Sequence, residues 1–314
     1  MSPASACGPR RPLIALVGPT ATGKTALAVA LAQRLHGDVI SADSRQIYRE
    51  LTIGSAKPSE AEQGGVRHYL LDVASPLERY SAARYRDDAL EALRDIDARQ
   101  RLAIIAGGTG FYLNALLQDG FIPEIAPDET FRASLQDQSD DALYASLLRR
   151  DPRRAAQLHP HNRSRVVRAL EIIHFSGAPT PQPTASAQTP GAVIWLGLTF
   201  DDRDAHRDVI DARIDAMLAA GWLGETEALM ARYGPQAHAL CATHGYPELM
   251  RVAQGEWTLP QAVASIRTQI HQYARRQRTW FRRNGEIHWI ARDTMTQDEV
   301  LQAALDRLSS AAIV

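Results

Sequence analysis

Lysine is nearly absent from this 314-residue chain: of 35 basic residues, Lys24 and Lys57 are the two lysines and every other one is arginine. Cysteine is as scarce. Cys7 and Cys241 cannot build a disulfide framework, and no C-x-x-C or H-E-x-x-H spacing offers the ligands of a zinc site. Long apolar runs are missing, which excludes a bilayer-spanning helix and a membrane partner, and the N-terminus lacks the apolar segment of a secretory signal. Nor is there an excess of one charge. A formal net charge of −1 gives no general attraction to polyanions, so any nucleic-acid face has to be local. What remains is 45% hydrophobic and 23% charged, the composition of a globular chain with a sizeable core, expected in a reducing, cytoplasmic setting.

Against that background the stretch from Leu13 to Thr25 stands out. Leu13-Ile14-Ala15-Leu16-Val17 reads as a buried strand, and the alanine- and leucine-rich run from Ala26 to Leu35 reads as a helix. Between them Gly18-Pro19-Thr20-Ala21-Thr22-Gly23-Lys24-Thr25 fills every fixed position of the phosphate-loop pattern G-x-x-x-x-G-K-[ST]. In such a loop successive backbone N–H groups converge on one anion and the helix N-terminus adds its positive end. Lys24 reaches the outer phosphate oxygens, and the Thr25 hydroxyl is the expected Mg²⁺ ligand. A chain that writes its positive charge as arginine keeps a compact ammonium where the phosphate site is crowded. The same argument makes Lys57, in Gly54-Ser55-Ala56-Lys57-Pro58, a second phosphate candidate beside the alternative of an ordinary surface charge.

Strands follow at 38–42, 69–73 and 102–106, with an amphipathic helix over 81–98. The second strand runs into Asp43-Ser44-Arg45-Gln46-Ile47-Tyr48 and the fourth into Gly107-Gly108-Thr109-Gly110 ahead of a helix over 111–118. Ligands of open α/β sheets bind beyond the carboxyl ends of the strands, so Asp43 and the second glycine turn are expected in the crevice of the first. From 119 to 176 only helical periodicity is present, dense in arginine, and 177–192 reads as a proline-rich linker. A strand returns at 193–198, helices follow over 204–220, 224–232, 246–254 and 260–283, and a short strand over 286–290 precedes a closing helix. The expected class is α/β: a P-loop NTPase-like parallel sheet flanked by helices (12–118 and 193–314) with an all-helical insertion domain (119–192). No long apolar helix face is left over, so a monomer is expected.

The helix over 260–283 carries two stripes. Val263, Ile266, Ile270, Tyr273, Gln277 and Trp280 form an inward one, whereas Arg267, His271, Arg275, Arg278 and Arg282 share another face. No acidic residue lies between Ala262 and Gly285, which favours a phosphate backbone as the partner of Arg275 and Arg278 over a merely solvated face. A phosphate loop usually belongs to a nucleotide hydrolase or small-molecule kinase. Such enzymes want an aspartate ending a core strand to help hold Mg²⁺, and here 102–106 ends in glycines, with Asp43 and Asp72 as possible substitutes.

Taken together, Gly18–Thr25, Ser41–Tyr48, Gly54–Pro58, Gly107–Tyr112, Arg165-Val166-Val167-Arg168-Ala169-Leu170-Glu171 and Gln272–Phe281 strongly resemble the tRNA dimethylallyltransferases, in order from about residue 13 to 290. The resemblance implies transfer of the five-carbon group of dimethylallyl diphosphate to N6 of adenosine 37, just 3′ of the anticodon, in tRNAs reading codons that begin with U. It puts the loop on a diphosphate leaving group, which accounts for the missing strand-end acid. It implies Asp43 as the general base, Arg213 as the diphosphate arginine, Thr109 beside the reacting amine and Mg²⁺ as cofactor. For tRNA it points to Asp43, Ser44, Arg45, Gln46, Thr109, Arg132, Ser164, Arg165, Val166, Val167, Arg168 and the segment Ala242-Thr243-His244-Gly245-Tyr246-Pro247, with the insertion gripping the anticodon stem-loop. The chain departs from the family pattern at Thr243-His244, at Pro247, at Ile270-His271 and at Val209.

Overall fold

The computed structural model describes residues 12–117, 125, 128–180 and 191–310. The chain divides into two compact units, residues 1–118 with 189–314, and residues 119–188. In the first, the described residues form one parallel sheet of β1 (Leu13–Val17), β2 (Gly37–Ser41), β3 (His68–Tyr69), β4 (Leu102–Gly107), β5 (Val193–Thr199) and β6 (His288–Ala291), in the order β3-β2-β4-β1-β5-β6. All five residues of β1 are buried, as an unbroken apolar run between two parallel neighbours requires. Because β1 and β2 both flank β4, their carboxyl ends and that of β4 open on one edge.

Helices α1 (Lys24–Arg34), α2 (Glu60–Gln63), α3 (Ala82–Ala98) and α4 (Gly110–Leu117) follow the first strands. The second unit contributes α5 (Glu129–Ser134), α6 (Asp140–Arg150), α7 (Pro152–Ala156) and α8 (Arg163–Ser176). Returning to the first unit, the chain forms α9 (Arg203–Ala219), α10 (Trp222–Tyr233), α11 (His238–Ala242), α12 (Tyr246–Ala253), α13 (Leu259–Phe281) and α14 (Gln297–Ser310). One core gathers Leu27 and Leu31 of α1 and Val300, Ala304 and Leu308 of α14 around Ile14, Leu16, Ile104, Leu196 and Leu198 of the sheet. Helices α3 and α4 meet through Tyr85 and Tyr112, whose rings stack at 4.2 Å. The buried Asp38 of β2 is held by Arg99 at 2.6 Å and Arg101 at 2.7 Å, so this charge enters the interior paired.

Two strand expectations need correction. The third strand stops at Tyr69 instead of running to residue 73, because Leu70 (φ 62°) and Asp72 (φ 58°) enter the left-handed region and break the extended backbone. The last strand is His288–Ala291, two residues later than its apolar pattern suggested at its start. Of the linker expected over 177–192, residues 181–190 lie outside the described residues.

The second unit has a core of its own: Leu143, Leu147, Ala155, Val166, Ala169, Leu170 and Ile173. Beside it Glu171, fully buried, accepts from Arg132 Nε (3.0 Å), the Asp128 amide (2.7 Å) and Arg168. Burial pushes this carboxyl up, and the three donors outweigh it and hold it below the usual range.

Candidate active site

The phosphate loop leaves β1 at Gly18. Its φ of 143°, and the 2.3 Å that would separate a Cβ there from the Leu198 carbonyl oxygen, leave glycine as the residue that fits. Ala21 (φ 61°) and Gly23 (φ 84°) are left-handed, the alternation that turns successive amides inward as an anion-binding nest. The start of α1 has no side-chain cap, so its first N–H groups face the cradle unsatisfied. Thr22 is buried and donates its hydroxyl to the Pro19 carbonyl at 2.9 Å. Lys24 donates to the same carbonyl at 2.6 Å. Burial brings its ammonium down to about 7, with Asp43 pulling it up and Arg213 pushing it further down. Arg213, on α9, is likewise lowered by burial and sustained by Asp43. Lys24, Asp43 and Arg213 therefore feel one another's fields.

The second glycine turn is knotted to the end of β2. Thr109 N–H donates to the Ala42 carbonyl at 3.1 Å, Ser44 N–H to Thr109 Oγ1 at 3.0 Å, and Arg45 N–H to Asp43 Oδ1 at 2.9 Å. A Cβ at Gly107 would stand 2.2 Å from the Ala42 carbonyl oxygen, so that approach depends on glycine. Tyr273 of α13 closes the group. Burial first, then the charge of Asp43, push its phenol up to about 12.

Some sequence candidates are spent elsewhere. Lys57 donates to the Tyr48 carbonyl at 2.8 Å and to Asp72 at 2.5 Å, a buried structural cation in place of the second phosphate ligand considered. Asp72 is half-exposed on the loop beyond β3 and faces Lys57, so it is no strand-end metal ligand. Gln46 accepts from Ser41 and donates to the Ala56 carbonyl. In the second unit Arg132 and Arg168 converge on Glu171 and Val166 lies in the core, Val167 packs against it, and Ser164 and Arg165 are exposed. In the 242–247 segment Thr243, Gly245 and Tyr246 are buried, Tyr246 donating to Glu225 at 2.6 Å with its ring edge-on to Trp222. Ala242, His244 and Pro247 are half-buried.

The basic stripe of α13 divides in two. Acids from α9 stand against its first half: Asp215 pairs with Arg267 at 2.6 Å and Asp211 Oδ1 lies 2.9 Å from His271 Nε2. A helix-by-helix reading of the sequence could not see these counter-charges. The second half lines a cavity of about 510 Å³ with Arg203, Arg207, Arg275, Arg278 and Arg282. Burial, then Arg282 and Arg203, lower the Arg278 guanidinium, a cluster of like charge that an anion would relieve. Three residues that sequence reasoning missed as functional touch the phosphate loop itself. Gln277 accepts from Thr20 N–H at 2.8 Å and donates to the Gly108 carbonyl at 2.9 Å, tying both glycine turns together. His206 meets the Thr20 carbonyl and Arg292 the Thr22 carbonyl. Only Gln277 carried a signal, as a polar residue in an apolar stripe.

Among the described residues no helix is long and apolar enough to cross a membrane. The family model for IPP transferase matches residues 46–284. A tRNA dimethylallyltransferase of Roseiflexus sp. is 42% identical over 286 residues, covering 90% of this chain and 93% of that one. Its counterpart in Acaryochloris marina is 39% identical over 278 residues, 88% of this chain and 92% of that protein. The crystal structure of a full-length tRNA isopentenylpyrophosphate transferase from Bacillus halodurans superimposes with a TM-score of 0.71 at 34% identity, covering 96% of this chain and 98% of that one. With the phosphate-loop sheet, the order of its motifs and relatives matched along nearly their whole length all in agreement, this chain belongs to the IPP transferase family, that of the tRNA dimethylallyltransferases.

Proposed function

We propose that the chain transfers the dimethylallyl group of dimethylallyl diphosphate to N6 of adenosine 37 in tRNAs reading codons that begin with U. The observation that carries this reading is a phosphate loop in which one carboxylate, Asp43 just beyond the end of β2, acts by its charge on both Lys24 and Arg213. The C–O bond to the allylic carbon breaks and diphosphate leaves with the electron pair. N6 forms the new C–N bond, and its proton passes to Asp43. An exocyclic adenine amine has its lone pair delocalised into the ring, so removing its proton as it attacks lowers the barrier. Developing charge on diphosphate meets the loop amides, Lys24 and Arg213 (preorganised donors that need no rearrangement). Thr109, whose hydroxyl accepts the Ser44 amide, would stand beside the reacting amine.

Thr25 is exposed at the start of α1, and among the described residues no three His, Cys, Asp or Glu side chains form a metal site. A single hydroxyl such as that of Thr25 would suit Mg²⁺, which keeps several waters and takes phosphate oxygens. Bound beside Thr25, the ion would neutralise charge on the diphosphate. For the tRNA, Arg45, Ser164, Arg165, His244, Arg275 and Arg278 are the candidates left with surface to offer, and Arg132 and Arg168 act by shaping the helical unit through Glu171. An unpaired loop adenine leaves its stack for about a few kcal/mol.

The test mixes purified protein, unmodified tRNA, Mg²⁺ and dimethylallyl diphosphate and reads the RNA by mass spectrometry. A gain of one five-carbon unit on the base 3′ of the anticodon is expected, whereas ATP consumption without tRNA would return the chain to the kinases. Asp43→Asn should keep tRNA affinity and lose about 10²–10⁴ in turnover; unchanged turnover would remove Asp43 from the role of base.

A further inference from the structure

We propose that His206 and Arg292 are positioning residues of the phosphate loop, acting from outside the cradle on the carbonyls of Thr20 and Thr22 so that the amides of Ala21 and Gly23 face the anion. The inference rests on the reading of the loop as a diphosphate site. In a trans peptide the C=O and the following N–H point in opposite directions. A donor that holds a carbonyl outward therefore aims the next amide inward. Thr20 C=O is held by His206 Nε2 at 2.9 Å, and Thr22 C=O by Arg292 Nη1 at 2.8 Å. On the other side of Thr20, its own N–H is taken by Gln277. These grips fall on the stretch whose left-handed residues, Ala21 and Gly23, would otherwise be free to flip their peptides.

The histidine is built for this task. It is 2% exposed, its ring lies 9° from that of Phe200 at 4.9 Å, and its Nδ1 accepts from Arg278 Nη2 at 2.9 Å. With Nδ1 accepting, Nε2 carries the proton that Thr20 receives. Burial, and then Arg278, Lys24 and His271, keep the ring neutral, so both bonds persist.

The experiment titrates inorganic diphosphate with Mg²⁺ into the whole protein by calorimetry and measures KM for each substrate separately. His206→Leu removes the donor at similar size, and His206→Gln keeps an N–H at the reach of Nε2. We expect about a tenfold weaker diphosphate affinity in His206→Leu, the size of one lost hydrogen bond to a polarised group, with recovery in His206→Gln. KM for tRNA should stay within about twofold, against the tenfold that one lost bond is worth. Arg292→Met against Arg292→Lys repeats the comparison at Thr22 should His206→Leu fail to fold. Equal affinities within each pair, or a parallel rise in both KM values, would overturn the proposal. Weakened diphosphate binding in a protein that transfers no five-carbon group would instead sink the reading of function and leave the loop assignment standing.

Discussion

Two turns in this molecule look alike in sequence. Gly18–Thr25 and Gly107–Gly110 each end a core strand of the same sheet and each open a helix. Their physics differs. In the first, glycine supplies conformation: φ values of 143° and 84° at Gly18 and Gly23 let amides converge on an anion. In the second, none of the three glycines has a positive φ, and what they supply is space, for the Ala42 backbone, Gln277 and Trp280. The first turn binds by its backbone. The second brings the Thr109 hydroxyl against the Ser44 amide, so what it presents is a side chain. A glycine-rich turn thus has two uses, and the sign of φ tells them apart.

Perturbing each turn in its own currency separates them. The largest effect is expected from Lys24→Met in the first turn: about a 10³-fold loss of turnover, the size typical of removing one preorganised charge-stabilising donor, at unchanged tRNA affinity. A retained rate would show that the cradle does not need its ammonium. The same variant should be more stable without ligand. Lys24 has a folded value of about 7 against 10.5 unperturbed, so between those values the unfolded chain binds more protons and wild-type stability rises with pH. The variant's melting temperature should therefore exceed wild type at pH 7 and the gap should close towards pH 10.5.

In the second turn Gly107→Ala should act on folding before chemistry, at about 3 kcal/mol, because the new methyl meets the Ala42 carbonyl rather than a movable side chain. Denaturant midpoints would measure it, and a wild-type midpoint would mean the two strands can part at no cost. Thr109→Val keeps the shape and leaves the Ser44 amide without its acceptor, so turnover should fall about tenfold while diphosphate affinity holds. A matching fall in diphosphate affinity would merge the two turns into one functional unit. The smallest effect is a pH dependence confined to the first turn. Bound diphosphate raises Lys24 from about 7, so binding takes up a proton and KM for the donor should climb several-fold as pH rises above that value. Lys24→Arg should flatten the profile.

The tertiary structure also redistributed the arginines. Arg267 and His271 share a helical face with Arg275 and Arg278, and nothing in α13 distinguishes them. Asp215 of α9 pairs with Arg267 and Asp211 stands against His271, whereas Arg275 and Arg278 line a cavity with no such acid on them among its lining residues. Likewise Arg132, Arg168 and Glu171 are separate letters until α5 and α8 pack and bury the carboxylate between them. Lys57 resembled Lys24 by rarity alone, and Asp72 decided its fate. In each case the missing information was the identity of a partner on another element.

What the chain settled by itself is local. The strand–loop–helix around Lys24 was readable because its chemistry needs residues within a dozen positions of one another, under the same backbone constraints wherever they occur. The position of Asp43 and Thr109 at one sheet edge followed from parallel topology, which sends strand ends to a common side. Folding alone decided which distant side chains grip that loop. His206 lies 186 residues beyond Thr20, and Arg292 lies 270 beyond Thr22. No periodicity records such pairs, because they are fixed by which surfaces exclude water against each other, and that is a property of the packed whole.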